Sequence, residues 1–348
     1  MTATATDTPG VPITTPTLPG PRGPLSAGLL AALTDPRQPA PDPEGAQRAD
    51  PYGEDLQLAL YLLYELHYRG FAGVADDREW DPALMPLRQA LEDRFLTALR
   101  ADVPTDRDVD EAFGDLLVES TDHSDSVAHH LQHHGDIGQL REYVALRSLY
   151  HLKEADPHAW VIPRLRGRAK AGMVAIEYDE FGAGRAQNIH AQLFADLMTD
   201  LDLRTDYGHY LPAAPAPLLA TVNVMTLFGL RRSLRGALVG HFACVEVTSS
   251  PGSRRLAAAM RRTGAGPAAE RFYDEHVEAD AVHEQVVRRE VIGGLLADEP
   301  HLEPDVAFGA DATVFLETRL GTYLLDAWRK GRPAIRADVH GRPNSPVC

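Results

Sequence analysis

The stretch Glu275-His-Val-Glu-Ala-Asp-Ala-Val-His-Glu284 decides how the chain is interpreted. It contains the pattern H-x-x-x-D-x-x-H, whose members are His276, Asp280 and His283. On a helix of about 3.6 residues per turn, side chains at these offsets lie within an arc of roughly 60°. Two imidazoles and a carboxylate on one helix face predict a metal site or a catalytic site, and a polar helix with two incidental histidines is the alternative.

The segments on either side of this stretch also place apolar residues at helical spacing. Helices are predicted over 55–70, 81–100, 110–134, 140–160, 188–203, 220–249, 255–262, 268–296 and 304–329. Pro251 and Gly252 are predicted to break the chain between two of these helices. Gly182 and Gly184 lack the third glycine of a dinucleotide-binding motif, and no alternation of strands and helices surrounds them. The sequence therefore predicts an all-α fold.

Composition divides the 348 residues into four parts and limits the classes of function. We predict a disordered tail rich in Pro, Thr and Ala over 1–52, an N-terminal helical region over 53–136, a main helical domain over 137–331, and a polar tail over 332–348. A net charge of −16 argues against nucleic-acid binding, which depends on an excess of Lys and Arg.

The cellular setting is predicted from cysteines and apolar runs. The two cysteines, Cys244 and Cys348, cannot form a disulfide framework, and no C-x-x-C motif occurs. No apolar run reaches the length of about 18 residues that a membrane span requires. These features predict a cytoplasmic protein without a membrane partner.

A dense histidine cluster, His129-His-Leu-Gln-His-His134, offers a second candidate metal site. His129 and His133, one turn apart, could chelate an ion, and Asp125 precedes them by a further turn. Gly135 ends the predicted helix at once, and such an end is usually solvated. We therefore favour a solvated helix end and leave this cluster out of the predicted site.

Glutamates and histidines on several apolar helices are what a buried two-iron site requires. Glu246 follows an apolar run, where an unpaired carboxylate would cost several kcal/mol, so it needs a partner. The ferritin-like E-x-x-H motif is absent, and Asp280-x-x-His283 is its nearest equivalent. The standard four-helix, ferritin-type site is therefore disfavoured.

Four segments resemble the heme-oxygenase-like diiron oxidases and oxygenases, a family also described as iron-containing redox enzymes. The stretch over 275–284 is one of them, and the others are Leu152-Lys-Glu-Ala-Asp-Pro-His158, Glu177-Tyr-Asp-Glu-Phe-Gly-Ala-Gly184 followed by His190, and Gly240-His-Phe-Ala-Cys-Val-Glu246. They resemble in particular the N-oxygenase domain of the streptozotocin biosynthetic enzyme. The resemblance covers about 140–329, and 55–134 is similar to the dimerising helices that precede that domain. It implies a heme-oxygenase-like helical bundle with an N-terminal helical extension.

The resemblance implies seven metal ligands, which act in catalysis through the metal centre. They are Glu154, Glu180, His190, Glu246, His276, Asp280 and His283.

Several of these residues have a second interpretation. Glu154 could instead pair with Arg164 or Arg166, and Glu177 or Asp179 could replace Glu180. His190 could be a residue of a helix surface. His158 and His241 lie near proposed ligands in the sequence, and we interpret them as supporting or structural residues.

The resemblance also implies two iron ions, dioxygen as co-substrate, an external reductant and a homodimer. It implies dioxygen activation through a peroxo-diferric intermediate and N-oxygenation of an amine or guanidine group, on an amino-acid-derived metabolite of a biosynthetic pathway. The partner is then a small-molecule amine or amino acid, and the sequence does not identify the electron donor. The helix that carries His276 and His283 is expected to gain order when iron binds.

Of three further functions, two are compatible with the sequence and one is contradicted by it. The same family performs desaturation and oxidative C–C cleavage of fatty or amino acids. A basic pocket would favour such a carboxylate substrate, and Arg231, Arg232 and Arg235 are the candidates for it. A heme protein would need a proximal histidine in a site without carboxylates, which these segments contradict. The last of the three is a catalytically silent iron-binding protein.

Overall fold

A computed structural model describes residues 15–104, 106–118 and 122–336 of the chain. The side chains of Glu278, Asp280 and Ala281 lie outside the described part. The described ranges contain helices and turns but no strand, which confirms the predicted all-α fold. Among the described helices, none is long and apolar enough to cross a membrane.

The first half of the chain forms helices that precede most of the candidate site. They are α1 (Pro24–Thr34), α2 (Glu44–Arg48), α3 (Glu54–Glu65), α4 (Met85–Asp102), α5 (Val109–Gly114), α6 (Val127–His133), α7 (Ile137–His151) and α8 (Asp156–Ala159). The helices that follow are α9 (Gly167–Glu180), α10 (His190–Asp200), α11 (Ala216–Leu230), α12 (Arg235–Thr263), α13 (Pro267–Val286), a π-helical turn (Val287–Ile292), α14 (Gly293–Asp298) and α15 (Glu303–Arg329).

The long helix α12 is the centre of the bundle and packs along both α13 and α15. Its crossing with α15 is unusually close. A Cβ atom at Gly240 would lie 1.9 Å from the carbonyl oxygen of Val306, and one at Gly309 would lie 2.0 Å from that of Ala237. Only glycine allows two helix backbones to approach so closely, so these two positions fix how α12 and α15 cross.

The predicted break at Pro251 and Gly252 is wrong, because α12 continues through both residues. A proline inside a helix costs about 3 kcal/mol through a lost hydrogen bond and a steric clash. Buried side chains lie on both sides of it, including Val247 before and Leu256 and Met260 after. Burial of each such side chain contributes about 1.5–3 kcal/mol, so packing outweighs the local cost.

Three predicted helices are each divided in the structure. The range 140–160 contains α7 and α8, with a turn over 152–155 between them. The range 110–134 contains α5 and α6, and residues 119–121 between them lie outside the described part. Each part has its own cap, because Asp108 accepts from the Glu111 amide at 2.8 Å and Ser126 accepts from the His129 amide at 3.2 Å. The range 220–249 is interrupted at Arg231, where α11 ends before α12 begins.

The predicted disorder of 1–52 does not extend over residues 15–52, which contain α1 and α2. Asp55 caps α1 from a distant part of the sequence. Its carboxylate accepts from the amides of Leu25 and Ser26 at 2.9 and 2.7 Å and from the Ser26 hydroxyl at 2.6 Å. This capping and the burial of Leu29 hold the segment against α3. Residues 1–14 lie outside the described part.

The predicted polar tail over 332–348 begins with packed residues. Ala334 is fully buried, and the Arg336 amide donates to the carbonyl of Ala213 at 2.8 Å. Residues 337–348 lie outside the described part.

A buried ion pair joins the N-terminal helices to the main bundle. The Lys153 ammonium lies 2.6 Å from the Glu65 carboxylate at the end of α3, and both side chains are almost fully buried. The Lys153 ammonium also lies 4.5 Å from the ring centre of Tyr68. Because Lys153 immediately precedes Glu154, this pair fixes the backbone at a predicted ligand.

We predict that Glu65→Leu lowers the free energy of unfolding by about 3–5 kcal/mol, because it leaves the Lys153 charge buried without a partner. The double variant Glu65→Leu/Lys153→Met should recover most of this loss. Chemical denaturation of the full-length protein measures both values. Glu44→Gln, which removes the largely exposed Arg48–Glu44 pair, is the matched control and should leave stability unchanged. A loss in the double variant as large as in the single variant would contradict the prediction.

Candidate metal centre

The structure brings six of the seven predicted residues together in the bundle interior. Glu154 lies in the turn after α7, Glu180 is the last residue of α9, and His190 is the first residue of α10. Glu246 lies on α12, and His276 and His283 lie two turns apart on α13. All six side chains are buried. Asp280 lies on α13 between the two histidines, with its side chain outside the described part.

These six side chains form two groups of potential ligands. One group is Glu154, His190 and His276, and the other is Glu180, Glu246 and His283. Within each group, one oxygen or nitrogen atom from every side chain lies within 4.8 Å of the others. Each group therefore offers a set of nitrogen and oxygen donors to one metal ion.

Glu180 belongs to the second group and also reaches His190 of the first group. Its Oε2 atom is 2.7 Å from Nδ1 of His190, and its Oε1 atom is 3.6 Å from Nδ1 of His283. The ring centres of His190 and His276 are 4.5 Å apart. A carboxylate in this position can face two cations at once, as a bridging ligand does.

His276 has the orientation of a metal-binding imidazole. Its Nδ1–H donates to the carbonyl of Phe272 at 2.7 Å, which leaves the lone pair on Nε2. Nε2 is buried and has no hydrogen-bond partner among the described residues. An unpaired buried nitrogen is unfavourable by itself, and a metal ion would satisfy it.

His283 contacts carboxylates through both ring nitrogens. Nδ1 lies 3.1 Å from Glu246 Oε2, and Nε2 lies 3.3 Å from Asp179 Oδ2. Burial by itself would lower the pKa of His283, but the hydrogen bond and charge of Glu246, together with Glu180, raise that pKa to about 9. A metal ion must therefore displace a proton from His283 in order to bind there.

Two carboxyl groups carry raised pKa values because carboxylates are crowded in a dry interior. Burial, followed by the charges of Glu180 and Glu246, raises the pKa of Glu177 to about 9. Burial also raises the pKa of Glu246 to about 7, against the hydrogen bond from His283. Bound cations would remove the cause of these shifts, since they favour ionised carboxylates.

Glu154 is ionised through a neighbour that the sequence did not single out. Burial would raise its pKa, but the charge and hydrogen bond of His151, at 2.8 Å, hold that pKa well below its ordinary value. His151 lies on the last turn of α7, three residues before Glu154. This short spacing in the sequence is the signal from which the contact between the two side chains could have been predicted. The pairing of Glu154 with Arg164 does not occur, because Arg164 donates to the carbonyls of Gly229 and Leu230.

The geometry also distinguishes between the acidic residues of the 177–180 run. Glu177 is buried but belongs to neither group, and the Asp179 side chain is 56% exposed and reaches only His283. Glu180 is thus the member of this run that lies between the groups. His190 is buried, so it is not a residue of a helix surface.

The histidines that the sequence left out of the site lie outside both groups. His158 and His241 are buried with ring centres 5.3 Å apart, and burial lowers their pKa values to about 3 and about 4, so both are neutral. His129 and His133 have ring centres 4.4 Å apart. No set of converging ligand atoms in the described chain includes any residue of the 129–134 cluster.

A cavity of about 480 Å³ adjoins the two groups, and this volume suits a small-molecule ligand. Glu154, Glu180, Glu246 and His276 border it at one end. From there it follows one face of α12 and extends towards Asp125. The arrangement can therefore hold cations beside a cavity for a substrate.

A comparison with protein families finds a match for the chain, whereas no curated protein matches it. The model of the family described as "iron-containing redox enzyme" matches residues 141–318. This is just over half of the 348 residues, and the matched range includes all seven predicted ligands. Together with the described helices it confirms the predicted heme-oxygenase-like bundle. The chain belongs to the family of iron-containing redox enzymes.

Proposed function

We propose that the protein is a non-heme, two-iron oxygenase that uses dioxygen to N-oxygenate an amine or guanidine group. The observation that carries this proposal is the pair of buried Glu/His groups beside an enclosed cavity. Two ions with carboxylate and imidazole ligands are the usual arrangement for dioxygen chemistry in helical bundles. A single heme iron would not need several carboxylates.

The chain's own residues would hold and neutralise the ions. Glu154, Glu180 and Glu246 contribute negative charge, and we propose that Asp280 adds a fourth carboxylate. Two ferrous ions bound there would supply electrons and open coordination positions for dioxygen. Phe272 orients the His276 ring through its carbonyl, and such supporting contacts keep ligands in place when a metal is exchanged.

The proposed reaction has a defined balance. An amine R–NH₂ and O₂, with two electrons and two protons, give R–NHOH and H₂O, so a new N–O bond replaces an N–H bond. The electrons come from an external reductant. The cavity gives the substrate a largely apolar environment, because residues of α11, α12, α13 and α15 form most of its walls.

The hypothesis of a carboxylate substrate loses its candidate residues. Arg231 donates to Glu92 at 2.7 Å, and Arg235 pairs with Glu299. Within the described chain, neither of them borders the cavity, and nor does Arg232. This distribution supports N-oxygenation over desaturation or cleavage of a fatty acid. The homodimer, the need for an external reductant and the cytoplasmic location stay predictions.

We predict that the wild-type protein binds close to two ferrous ions per chain under anaerobic conditions. Glu246→Ala and His276→Ala should each reduce this stoichiometry by at least one ion, because each removes a ligand from a different group. Anaerobic ferrous titration with colorimetric iron analysis measures the numbers. His209→Ala, at an exposed histidine that belongs to neither group, is the matched control. Unchanged iron binding in both site variants would refute the assignment.

A second prediction concerns the pH dependence of stability in the iron-free protein. The folded-state pKa of Glu177, about 9, lies above its ordinary value of 4.5. Its contribution to stability is therefore full at low pH and is lost as the pH rises towards about 9. Glu177→Gln should flatten the fall in the free energy of unfolding between about pH 5 and pH 9.

Denaturation curves at several pH values test this, with Glu44→Gln as an exposed control. Some slope should remain in Glu177→Gln, since the Glu246 pKa is also raised. Parallel pH profiles for the wild type and Glu177→Gln would contradict the prediction.

A third prediction concerns α13, which carries three of the proposed ligands. Without cations, the crowded carboxylates repel one another and disfavour the close approach of α13 to α9 and α12. We expect ferrous ion to slow hydrogen exchange across 274–288 by at least tenfold, the factor that about 1.4 kcal/mol of added local stability produces. Exchange measured by mass spectrometry with and without ferrous ion tests this, and α3 is the internal control. Equal exchange in both states would refute it.

A further inference from the structure

An ion pair lies in the wall of the cavity, apart from the two metal groups. Arg147 on α7 donates to both carboxylate oxygens of Glu317 on α15, at 2.8 and 2.5 Å. Both residues border the cavity. Each Glu317 oxygen accepts only one of these bonds, and a carboxylate oxygen has two acceptor positions. The pair therefore retains acceptor capacity towards the cavity.

The free surface of this pair belongs mainly to the carboxylate. The Glu317 side chain is 39% exposed and the Arg147 side chain 18% exposed. Because both residues border the cavity, this exposed surface is available to a molecule in the cavity. Arg147 outweighs the effect of burial and holds the pKa of Glu317 below its ordinary value. Glu317 is thus an ionised carboxylate that a bound molecule can contact.

The charged groups of the cavity wall lie in pairs. Outside the two metal groups, the described wall carries Arg147, Glu317, Asp125 and His151. Arg147 pairs with Glu317, His151 lies 2.8 Å from Glu154, and the 83% exposed Asp125 side chain lies 4.0 Å from Arg329. The preference for a cation therefore rests on the free acceptor positions of the Glu317 carboxylate. Burial raises the pKa of the Cys244 thiol, another wall residue, to about 12, so the thiol is uncharged.

Glu317 and members of both metal groups border the same cavity. Arg147 and His151 are one turn apart on α7, and His151 contacts the proposed ligand Glu154 at 2.8 Å. A group bound at Glu317 would therefore share the cavity with Glu154, Glu180, Glu246 and His276.

We infer that Glu317 binds the cationic, N–H-bearing head group of the substrate, with Arg147 as the residue that positions the carboxylate. The inference rests on the proposed function, because it names the group that holds the nitrogen to be oxygenated. An ammonium or guanidinium group donates several hydrogen bonds, which fit the free acceptor positions of Glu317. A carboxylate head group has no N–H to donate and would face the ionised carboxylate of Glu317.

The test compares three probes of equal chain length: n-hexylamine, n-hexylguanidine and hexanoate. Isothermal titration calorimetry uses the full-length, iron-loaded protein without oxygen. At least one of the two cations should bind at least tenfold more tightly than hexanoate. Glu317→Gln should weaken cation binding at least tenfold and leave the iron stoichiometry near two. Glu299→Gln, which alters another Arg–Glu pair away from the cavity, is the matched control and should bind like the wild type.

Glu317→Gln leaves the Arg147 charge without its partner, so the double variant Arg147→Gln/Glu317→Gln provides a second measurement. It should fold and should also lose cation binding. Hexanoate binding as tight as cation binding, or unchanged cation binding in a folded Glu317 variant, would overturn the inference. If iron binds and Glu317 does not matter, the inference fails alone. If cations bind through Glu317 but no iron binds, the proposed two-iron function fails instead.

Discussion

The structure depends on one unfavourable arrangement, the burial of several carboxylates close to one another in a helical bundle. Glu154, Glu177, Glu180 and Glu246 all lie in the interior. Burial and mutual repulsion raise the pKa values of Glu177 and Glu246. Like charges in a medium of low dielectric constant remain together only if protons or cations neutralise them. The bundle therefore depends on positive charge at its centre. His276 and His283 each lie beside these carboxylates, so their imidazoles could bind a metal cation together with them.

Contacts away from the ligands keep this arrangement in place. The Lys153–Glu65 pair ties the turn that carries Glu154 to α3, and the carbonyl of Phe272 sets the tautomer of His276. The close crossing at Gly240 and Gly309 fixes α12, and hence Glu246, against α15. The positions of the proposed ligands therefore depend on packing throughout the bundle, including the N-terminal helices.

Most helices and part of the site could be predicted from patterns in the sequence itself, because those signals are local, whereas Glu154, Glu180 and His190 follow only from the family resemblance. The helical spacing of apolar residues predicts most helices, and the pattern of His276, Asp280 and His283 falls within two turns. The errors involve interactions between distant residues. Asp55 caps α1 across 30 positions of sequence, and packing on α13 and α15 carries α12 through Pro251. Neither Arg147 nor Glu317 has a local motif, and only tertiary structure brings them together across 170 positions.

Helix α7 links the proposed metal site to the proposed substrate position. Arg147 lies one turn before His151, and His151 lies three residues before Glu154. Because Arg147 and His151 are one turn apart on α7, a shift at Arg147 would move His151, which contacts Glu154 in the turn that follows the helix. A cation bound at the free acceptor positions of Glu317 would share the carboxylate with Arg147 and so act on α7 through that ion pair. Substrate binding and the position of a metal ligand are thereby connected through one short helical segment, which gives a physical reason why occupancy of the cavity would affect chemistry at the ions.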